Sequence, residues 1–192
     1  MDLRQFYDDE WTEHLAVATA SRAALAEPFA RLVSHSVQAI RSGRKILFFG
    51  NGGSAADSQH LAAELAVRYK RDRVPIAAIA LTTDSSVLTA AGNDLGFDQL
   101  FERQVRALGQ SGDVAIGIST SGRSPNVIRA LKAAREMGMT AAAFSGGEGG
   151  SLRGLADPLL LVPSTVTARI QEMHITIGQM LCGAIESELG LV

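Results

Sequence analysis

Residues 48–64, with the sequence FFGNGGSAADSQHLAAE, decide the fold. An apolar strand runs into a turn rich in glycine, and the turn opens a helix. Glycine permits positive φ and a close approach of the backbone, and N–H groups at the start of a helix favour an anion. Ser54 is placed to cap the helix. An ordinary structural turn has the same composition, so this stretch alone leaves an anion site and a plain turn as alternatives.

Outward from this stretch, strands and helices alternate along most of the chain. Short, continuous apolar runs, typical of strands buried on both faces, occupy residues 45–49, 76–81, 113–118, 140–145 and 158–162. Helices are predicted at residues 54–69, 84–91, 97–108, 124–137 and 166–189. Two further helices are predicted within residues 3–42, the second beginning at Pro28. We therefore predict an α/β fold, a three-layer α-β-α sandwich around a five-stranded parallel sheet with an N-terminal helical extension.

No internal repeat, low-complexity run or linker divides the 192 residues. We predict one domain over residues 1–192, with a helical preface at residues 1–43 and an α/β body at residues 44–192. The preface leaves apolar surface that the sheet does not cover, and we expect part of this surface to pack against another subunit.

Composition and charge narrow the class of protein. The net charge of −2 gives no electrostatic support for binding nucleic acid, which usually shows as a basic excess. One basic cluster, residues 68–73, falls where a helix is predicted to end, so its cations either oppose the helix dipole or contact a phosphate or a partner. The single cysteine, Cys182, cannot form an internal disulfide and is typical of a cytoplasmic protein. The sequence predicts neither a signal peptide at residues 1–5 nor a run that spans a bilayer.

A second junction, residues 119–126 with the sequence STSGRSPN, is rich in hydroxyl groups. Ser124 suits the N-cap of the next helix, and Pro125 suits its first position. An ordinary capped turn explains these two residues but not the three hydroxyl residues at 119–121. Hydroxyls and backbone N–H groups at a helix N-terminus suit a phosphate, and we favour phosphate binding here.

A third junction contains Asn93 and Asp94. Their side chains either bind sugar hydroxyls or simply build a turn, since Asn and Asp are common turn formers. All three junctions are predicted to lie at the carboxyl edge of the sheet, which is where open α/β sheets bind ligands.

Two helices carry candidate catalytic side chains. His60 and Glu64 are four residues apart and share one helix face, a spacing that suits two ligands of one metal ion or a base with a polar partner. An ordinary surface contact is the alternative. The last helix adds polar residues to an apolar span, and these either face a cleft or bond each other; they are Arg169, Gln171, Glu172, His174 and Gln179.

Four motifs together resemble the sugar isomerase (SIS) domain: GNGGSAADSQHLAAEL at residues 50–65, LTTDSSVLTAAGND at 81–94, GDVAIGISTSGRSPNVIRAL at 112–131 and ARIQEMH at 168–174. Within that family they are similar to the bacterial phosphoheptose isomerases, and the resemblance covers nearly the whole chain. It implies a cytoplasmic homotetramer that uses zinc. The implied reaction converts sedoheptulose 7-phosphate, a seven-carbon sugar phosphate, to D-glycero-D-manno-heptose 7-phosphate, the entry to heptose for lipopolysaccharide or capsule.

The resemblance also implies which residues form the site. Substrate contacts are implied for Asn51, Gly52, Gly53, Glu64, Asn93, Asp94, Ser119, Thr120, Ser121, Ser124 and Gln171. Within this set, the four hydroxyl residues hold the phosphate. Zinc ligands are implied at His60, Glu64 and Gln171. Glu64 then acts as general base and general acid, moving a proton between two carbons through an enediolate.

Position 179 departs from the family pattern. The family usually has a second histidine there, as a zinc ligand and candidate proton carrier, and this chain has Gln179. An amide is a poorer zinc ligand than imidazole and carries no proton near neutral pH. We therefore expect weaker zinc binding, with Gln179 as a candidate fourth ligand, or a catalytic role for His174 in place of the missing group. Two other classes stay open: a non-enzymatic SIS protein that binds the replication initiator, whose members also lack the second histidine, and a sensor of sugar phosphates.

Overall fold

Five parallel strands form the centre of the protein, which a computed structural model describes over all 192 residues. The strands are β1 (Ile46–Gly50), β2 (Ala78–Ala80), β3 (Val114–Ile118), β4 (Thr140–Gly146) and β5 (Leu159–Val162). Their order in the sheet is β2-β1-β3-β4-β5. The predicted five-stranded parallel sheet is confirmed, and each strand lies within a few residues of its predicted position.

Seven α-helices surround the sheet. They are α1 (Leu3–Ala24), α2 (Ala26–Arg41), α3 (Gly53–Ala66), α4 (Ser85–Asp94), α5 (Leu100–Leu108), α6 (Pro125–Glu136) and α7 (Thr167–Glu188). Two short 3-10 helices lie at Phe97–Gln99 and Gly150–Leu152. The predicted helices are confirmed with shifted ends. Helix α2 begins two residues before Pro28, since the first turn of a helix tolerates proline.

The hydrophobic core lies on both faces of the sheet. Phe48 packs in the cluster that contains side chains of α2, α3 and α7, whereas Phe49 packs in the cluster formed with α5 and α6. Successive side chains of a strand point to opposite faces, so both faces of β1 and β3 need apolar residues. This is why the two central strands are continuous apolar runs and fully buried. The predicted three-layer α-β-α architecture is confirmed.

The N-terminal helix α1 leaves a large apolar surface uncovered, as the sequence predicts. Its exposed large side chains are Leu3, Phe6, Tyr7, Trp11 and Leu15. Buried Arg169 at the start of α7 attaches α1 through an ion pair with Glu10 at 3.0 Å. None of the helices combines the length and the hydropathy that crossing a membrane requires.

A buried ion pair closes the end of α3. Arg73 Nε lies 2.8 Å from Glu186 Oε1 on α7, and both side chains are almost fully buried. Arg73 Nη2 also donates to the carbonyl oxygen of Glu64 at 2.8 Å. The prediction that the basic cluster opposes the end of this helix is therefore confirmed for Arg73, although α3 ends at Ala66, three residues earlier than predicted.

Candidate active site

The glycine turn (residues 50–54) and the serine turn (residues 119–124) meet because β1 and β3 are neighbours in the sheet. A reciprocal amide pair joins them. Asn51 Nδ2 donates to Asn126 Oδ1 at 2.9 Å, and Asn126 Nδ2 donates to Asn51 Oδ1 at 2.8 Å. Asn126 is buried, and sequence reasoning gave it no role. Its position could have indicated a role, because Asn126 is the second residue of α6, the helix that follows β3.

The glycine turn brings Gln171 of α7 to the start of α3. A Cβ atom on Gly53 would lie 2.5 Å from Gln171 Nε2, so any larger residue at position 53 would push the Gln171 amide away. Gly52 is the N-cap of α3, and no side chain caps the helix. The expectation that Ser54 caps it is wrong, because Ser54 lies inside the first turn and is buried. Ser54 and Ala55 donate their N–H groups to the carbonyl oxygens of Asn51 and Gly52, so only the N–H groups of Gly52 and Gly53 are left to bind an oxygen atom.

The serine turn keeps its hydroxyls near the start of α6. Ser124 is the N-cap and Pro125 the first residue of α6, as predicted, but Ser124 makes no capping hydrogen bond. Its Oγ lies 3.0 Å from Ser119 Oγ instead. Thr120 is half-buried and Ser121 is exposed. At this helix start Pro125 has no N–H and the N–H of Val127 donates to Asn126 Oδ1 at 2.9 Å, which leaves the N–H of Asn126 without a partner. This N–H and the hydroxyl groups of the turn suit a phosphate.

His60, Glu64 and Gln179 come together where α3 crosses α7. His60 Nε2 lies 3.6 Å from Glu64 Oε1 and 2.8 Å from Gln179 Nε2. The side chains of His60 and Glu64 are 44% and 20% exposed, so the carboxylate is sheltered but open to solvent. The sequence placed His60 and Glu64 on one face, and the fold adds Gln179 opposite them.

The His60–Glu64 pair fits a metal ion. Zinc–ligand bonds of about 2.0–2.2 Å place two tetrahedral ligands roughly 3.4 Å apart. The observed separation of 3.6 Å is close to that value. Gln179 presents its nitrogen to the metal-binding atom of His60, so its amide has to turn over before the oxygen faces an ion. No group of three His, Cys, Asp or Glu side chains is placed to hold a metal ion, so further ligands have to be amide oxygens or water.

Asp57 lies on the same face of α3 as His60 and Glu64, although the sequence did not predict it as a site residue. It lies three residues before His60, and its Oδ2 atom is buried without a hydrogen-bond partner. Burial raises the pKa of the Asp57 carboxyl, while the nearby His60 lowers it. The signal was the spacing of residues 57, 60 and 64, which places all three on one helix face.

Asn93 and Asp94 lie in the last turn of α4, because this helix continues three residues past its predicted end. Both are exposed, and Asn93 Nδ2 donates to Asp94 Oδ1 at 2.7 Å. No hydrogen bond joins either side chain to the glycine turn or the serine turn. Their contact with substrate stays a prediction.

His174 is fully buried. Its Nε2 atom lies 3.1 Å from the carbonyl oxygen of Ser145, and its ring packs against Phe144. Burial lowers the pKa of His174 to about 4. A ring without access to substrate and neutral near pH 7 is a poor acid or base, which argues against His174 as a substitute for the missing histidine.

The buried ring predicts a pH-dependent stability. The pKa of His174 is about 4 in the folded protein and about 6.5 when it is exposed. Between these values the unfolded chain binds the extra proton, so the free energy of unfolding falls as pH drops from 6.5 towards 4, by about 2–3 kcal/mol. Urea denaturation of the wild type at pH 7 and pH 4.5 measures this loss. His174→Gln should lack this component, and an equal loss in the variant would contradict the assignment.

The fold and the site together define the class of protein. Residues 10–146 match the SIS domain, and the chain belongs to this family. Within the family it is similar to phosphoheptose isomerases over almost its whole length. It is 58% identical over 187 residues to the phosphoheptose isomerase of Paramagnetospirillum magneticum, with 97% of each chain covered. It is 52% identical over 179 residues to phosphoheptose isomerase 1 of Campylobacter jejuni, covering 93% of this chain and 96% of the relative.

Solved structures agree with this grouping. The phosphoheptose isomerase of Neisseria gonorrhoeae superposes with a TM-score of 0.91 at 45% identity, covering 96% of this chain and 99% of the other. The phosphoheptose isomerase of Francisella tularensis gives a TM-score of 0.94 at 35% identity, covering 97% and 100%. The family resemblance read from the four motifs is therefore confirmed.

Proposed function

We propose that the protein is a sedoheptulose 7-phosphate isomerase that forms D-glycero-D-manno-heptose 7-phosphate, the first step of ADP- or GDP-heptose biosynthesis. One observation carries the proposal. A single helix, α3, begins beside the serine turn and, farther along, holds Glu64 against His60 and Gln179. A proposed phosphate anchor and a sheltered carboxylate therefore lie along one helix, in a chain similar to phosphoheptose isomerases.

We assign each part of the proposed site one step of the reaction. The serine turn binds the phosphate and so fixes the far end of the sugar, where C1 and C2 react, by binding energy remote from the chemistry. Glu64 removes a proton from C1 of the ketose and returns it to C2 of the aldose. Transfer of the hydroxyl proton from O1 to O2 completes the exchange, with an enediolate between the two forms. The amide of Gln171, beside the glycine turn, orients the sugar hydroxyls.

We propose zinc as the cofactor, held by His60 and Glu64 with the amide oxygen of Gln179. Gln171 contacts Gly53 at the start of α3, about 10 Å along the helix from His60, so its role as a zinc ligand stays a prediction. Bound zinc supplies Lewis-acid stabilisation of the negative charge that develops on the sugar oxygens. Amide oxygen is a weaker zinc ligand than imidazole, so this site holds zinc less tightly than a site with two histidines. The 3.6 Å separation of His60 Nε2 and Glu64 Oε1 supports the assignment.

Gln179→His should tighten zinc binding by more than about tenfold, because a direct ligand contributes at least as much as the outer partners whose loss costs about 10–100-fold. Competition with a chromophoric chelator measures the zinc affinity of the purified protein. Gln38→His, on the exposed surface of α2, controls for adding a histidine. An unchanged affinity in Gln179→His would place any bound zinc elsewhere.

We further propose that the protein is a cytoplasmic homotetramer. The uncovered apolar surface of α1 supports contact between copies, as does a groove of about 600 Å³ between α1, α2 and α7, lined in part by Leu25, Phe29 and Met173. The buried, unpaired thiol of Cys182 suits a reducing compartment. Light scattering should give four times the 20.3 kDa of one chain, and the mass of a monomer or of a dimer would contradict the proposal.

The function is tested by incubating the purified protein with ketose phosphates of five, six and seven carbons, with and without a chelator. We expect an aldose phosphate only from the seven-carbon substrate, and less of it with chelator. No product under either condition would favour the non-enzymatic class that binds the replication initiator, to which Gln179 also points.

A further inference from the structure

A chain of hydrogen bonds runs from the core of the protein to the serine turn. His174 Nε2 lies 3.1 Å from the carbonyl oxygen of Ser145, at the end of β4. Ser145 Oγ donates to the carbonyl oxygen of Ser119 at 2.8 Å, and Ser119 Oγ lies 3.0 Å from Ser124 Oγ. His174, Ser145 and Ser119 are all buried, so water cannot replace these bonds.

The ring of His174 has a defined tautomer. A carbonyl oxygen only accepts hydrogen bonds, so Nε2 carries the ring proton and donates it to Ser145. Nδ1 is buried and has no partner. Burial keeps the ring neutral, because a second proton on Nδ1 would find no acceptor. The only polar contact of this ring is therefore the one that leads to the serine turn.

The serine turn is held from a second side by the last residue of β4 and the segment that follows it. The N–H of Gly146 donates to the carbonyl oxygen of Thr120 at 3.0 Å, and the N–H of Ser151 donates to that of Gly122 at 3.0 Å. Gly122 has a φ of +64°, and a Cβ atom there would overlap the carbonyl oxygen of Gly149. The backbone of the turn is thus fixed by its neighbours, which leaves its outer hydroxyls for a ligand.

We propose that His174 and Ser145 are positioning residues that set the shape of the serine turn for phosphate and tie it to α7, the helix that carries Gln171 and Gln179. The inference rests on the proposed function, since it takes the serine turn as the phosphate site. A substrate held at one end by the turn and at the other by α7 reacts only if the two are in register. The hydrogen bonds from His174 through Ser145 to the serine turn keep α7 and the turn in this relative position.

Two variants remove the link at different points. Ser145→Ala removes the hydroxyl that reaches Ser119, and His174→Leu removes the donor to Ser145. Each should raise the Kd of inorganic phosphate and the KM for sedoheptulose 7-phosphate about five- to tenfold, the effect of one lost buried hydrogen bond. His174→Gln keeps a nitrogen donor at the same distance along the side chain and should stay near wild type.

The controls separate positioning from other roles. Ser36→Ala removes another buried hydroxyl, one with no hydrogen-bond partner and no contact with the serine turn, and should leave both constants unchanged. The shape of the pH–rate profile should be the same in all variants, because His174 takes no proton from substrate. Thermal denaturation shows which variants fold, and if His174→Leu does not, Ser145→Ala decides.

The outcomes are distinct. Unchanged phosphate Kd and KM in folded Ser145→Ala would overturn the inference, as would a shifted pH–rate profile in His174→Gln. If the wild-type protein binds phosphate and both Ser145→Ala and His174→Leu bind it equally well, the positioning role fails but the proposed function stands. If the wild-type protein neither binds phosphate nor turns over the sugar, the proposed function fails with it.

Discussion

Glu64→Gln should lower kcat for sedoheptulose 7-phosphate by about 10²–10⁴-fold, the usual contribution of a positioned acid–base group. Glutamine has nearly the same shape as glutamate and keeps its hydrogen-bonding capacity, but its amide does not accept a proton from carbon near pH 7. The serine turn is untouched by this change. The Kd of inorganic phosphate should therefore stay within about twofold of the wild-type value, a change of about 0.4 kcal/mol in binding free energy.

Because Glu64 is also a proposed zinc ligand, the zinc content of the variant has to be measured on the same sample. Turnover lost with zinc still bound assigns the base role to Glu64. Turnover restored by excess zinc would show that the carboxylate mattered only as a ligand. Glu27→Gln, at an exposed carboxylate on α2, makes the same chemical change away from the site and should leave kcat unchanged.

Glu186→Gln should lower the free energy of unfolding by about 3–5 kcal/mol, the usual cost of breaking a buried ion pair from one side. Arg73 would keep its charge in a site almost without exposed surface, and the N–H of Tyr69 would lose a charged acceptor at 3.1 Å. Urea denaturation monitored by circular dichroism measures the change. Arg73 also donates to the carbonyl oxygen of Glu64, so the end of α3 should loosen with it.

Glu188→Gln is the matched control for this prediction. It makes the same change two residues away on α7, where the side chain is exposed, and should alter the free energy of unfolding by less than about 0.5 kcal/mol. If Glu186→Gln lowers the free energy of unfolding by less than about 1 kcal/mol, the buried ion pair of Arg73 and Glu186 does not stabilise the fold as predicted.

The framework of the fold could be predicted because its signals are local. The runs at 45–49 and 113–118 are continuous and apolar, and the structure buries β1 and β3 on both faces. The glycine turn and the serine turn follow β1 and β3 directly. They meet at one edge of the sheet because these two strands are neighbours. The sequence also predicted correctly that His60 and Glu64 share one helix face, because residues four apart on a helix always do.

The partners across the fold could not be predicted, because each depends on packing between distant segments. Arg73 pairs with Glu186, which lies 113 residues further along the chain. Gln171 reaches Gly53 only because α7 packs along α3. His174 was a candidate acid–base group in sequence, but α7 turns it into the core. Local propensity also misled at Asn93 and Asp94, where tertiary packing keeps turn-forming residues helical to the end of α4.

The position of Gln179 changes the view of the metal site. From the sequence it was a missing histidine, whereas in the structure it bonds the Nε2 atom of His60 at 2.8 Å. Its amide thus occupies the nitrogen that a metal ion would require, and a zinc ion bound there would have to displace this bond. The lower zinc affinity that we propose follows from this competition as well as from the weaker ligand.

The central claim is that the wild-type protein isomerises sedoheptulose 7-phosphate. The most direct test is proton NMR of the purified, zinc-supplemented protein with this substrate, followed over time. We expect the anomeric signals of D-glycero-D-manno-heptose 7-phosphate to grow until the aldose and the ketose reach equilibrium. A spectrum that stays that of sedoheptulose 7-phosphate, with the protein folded and zinc present, would contradict the claim.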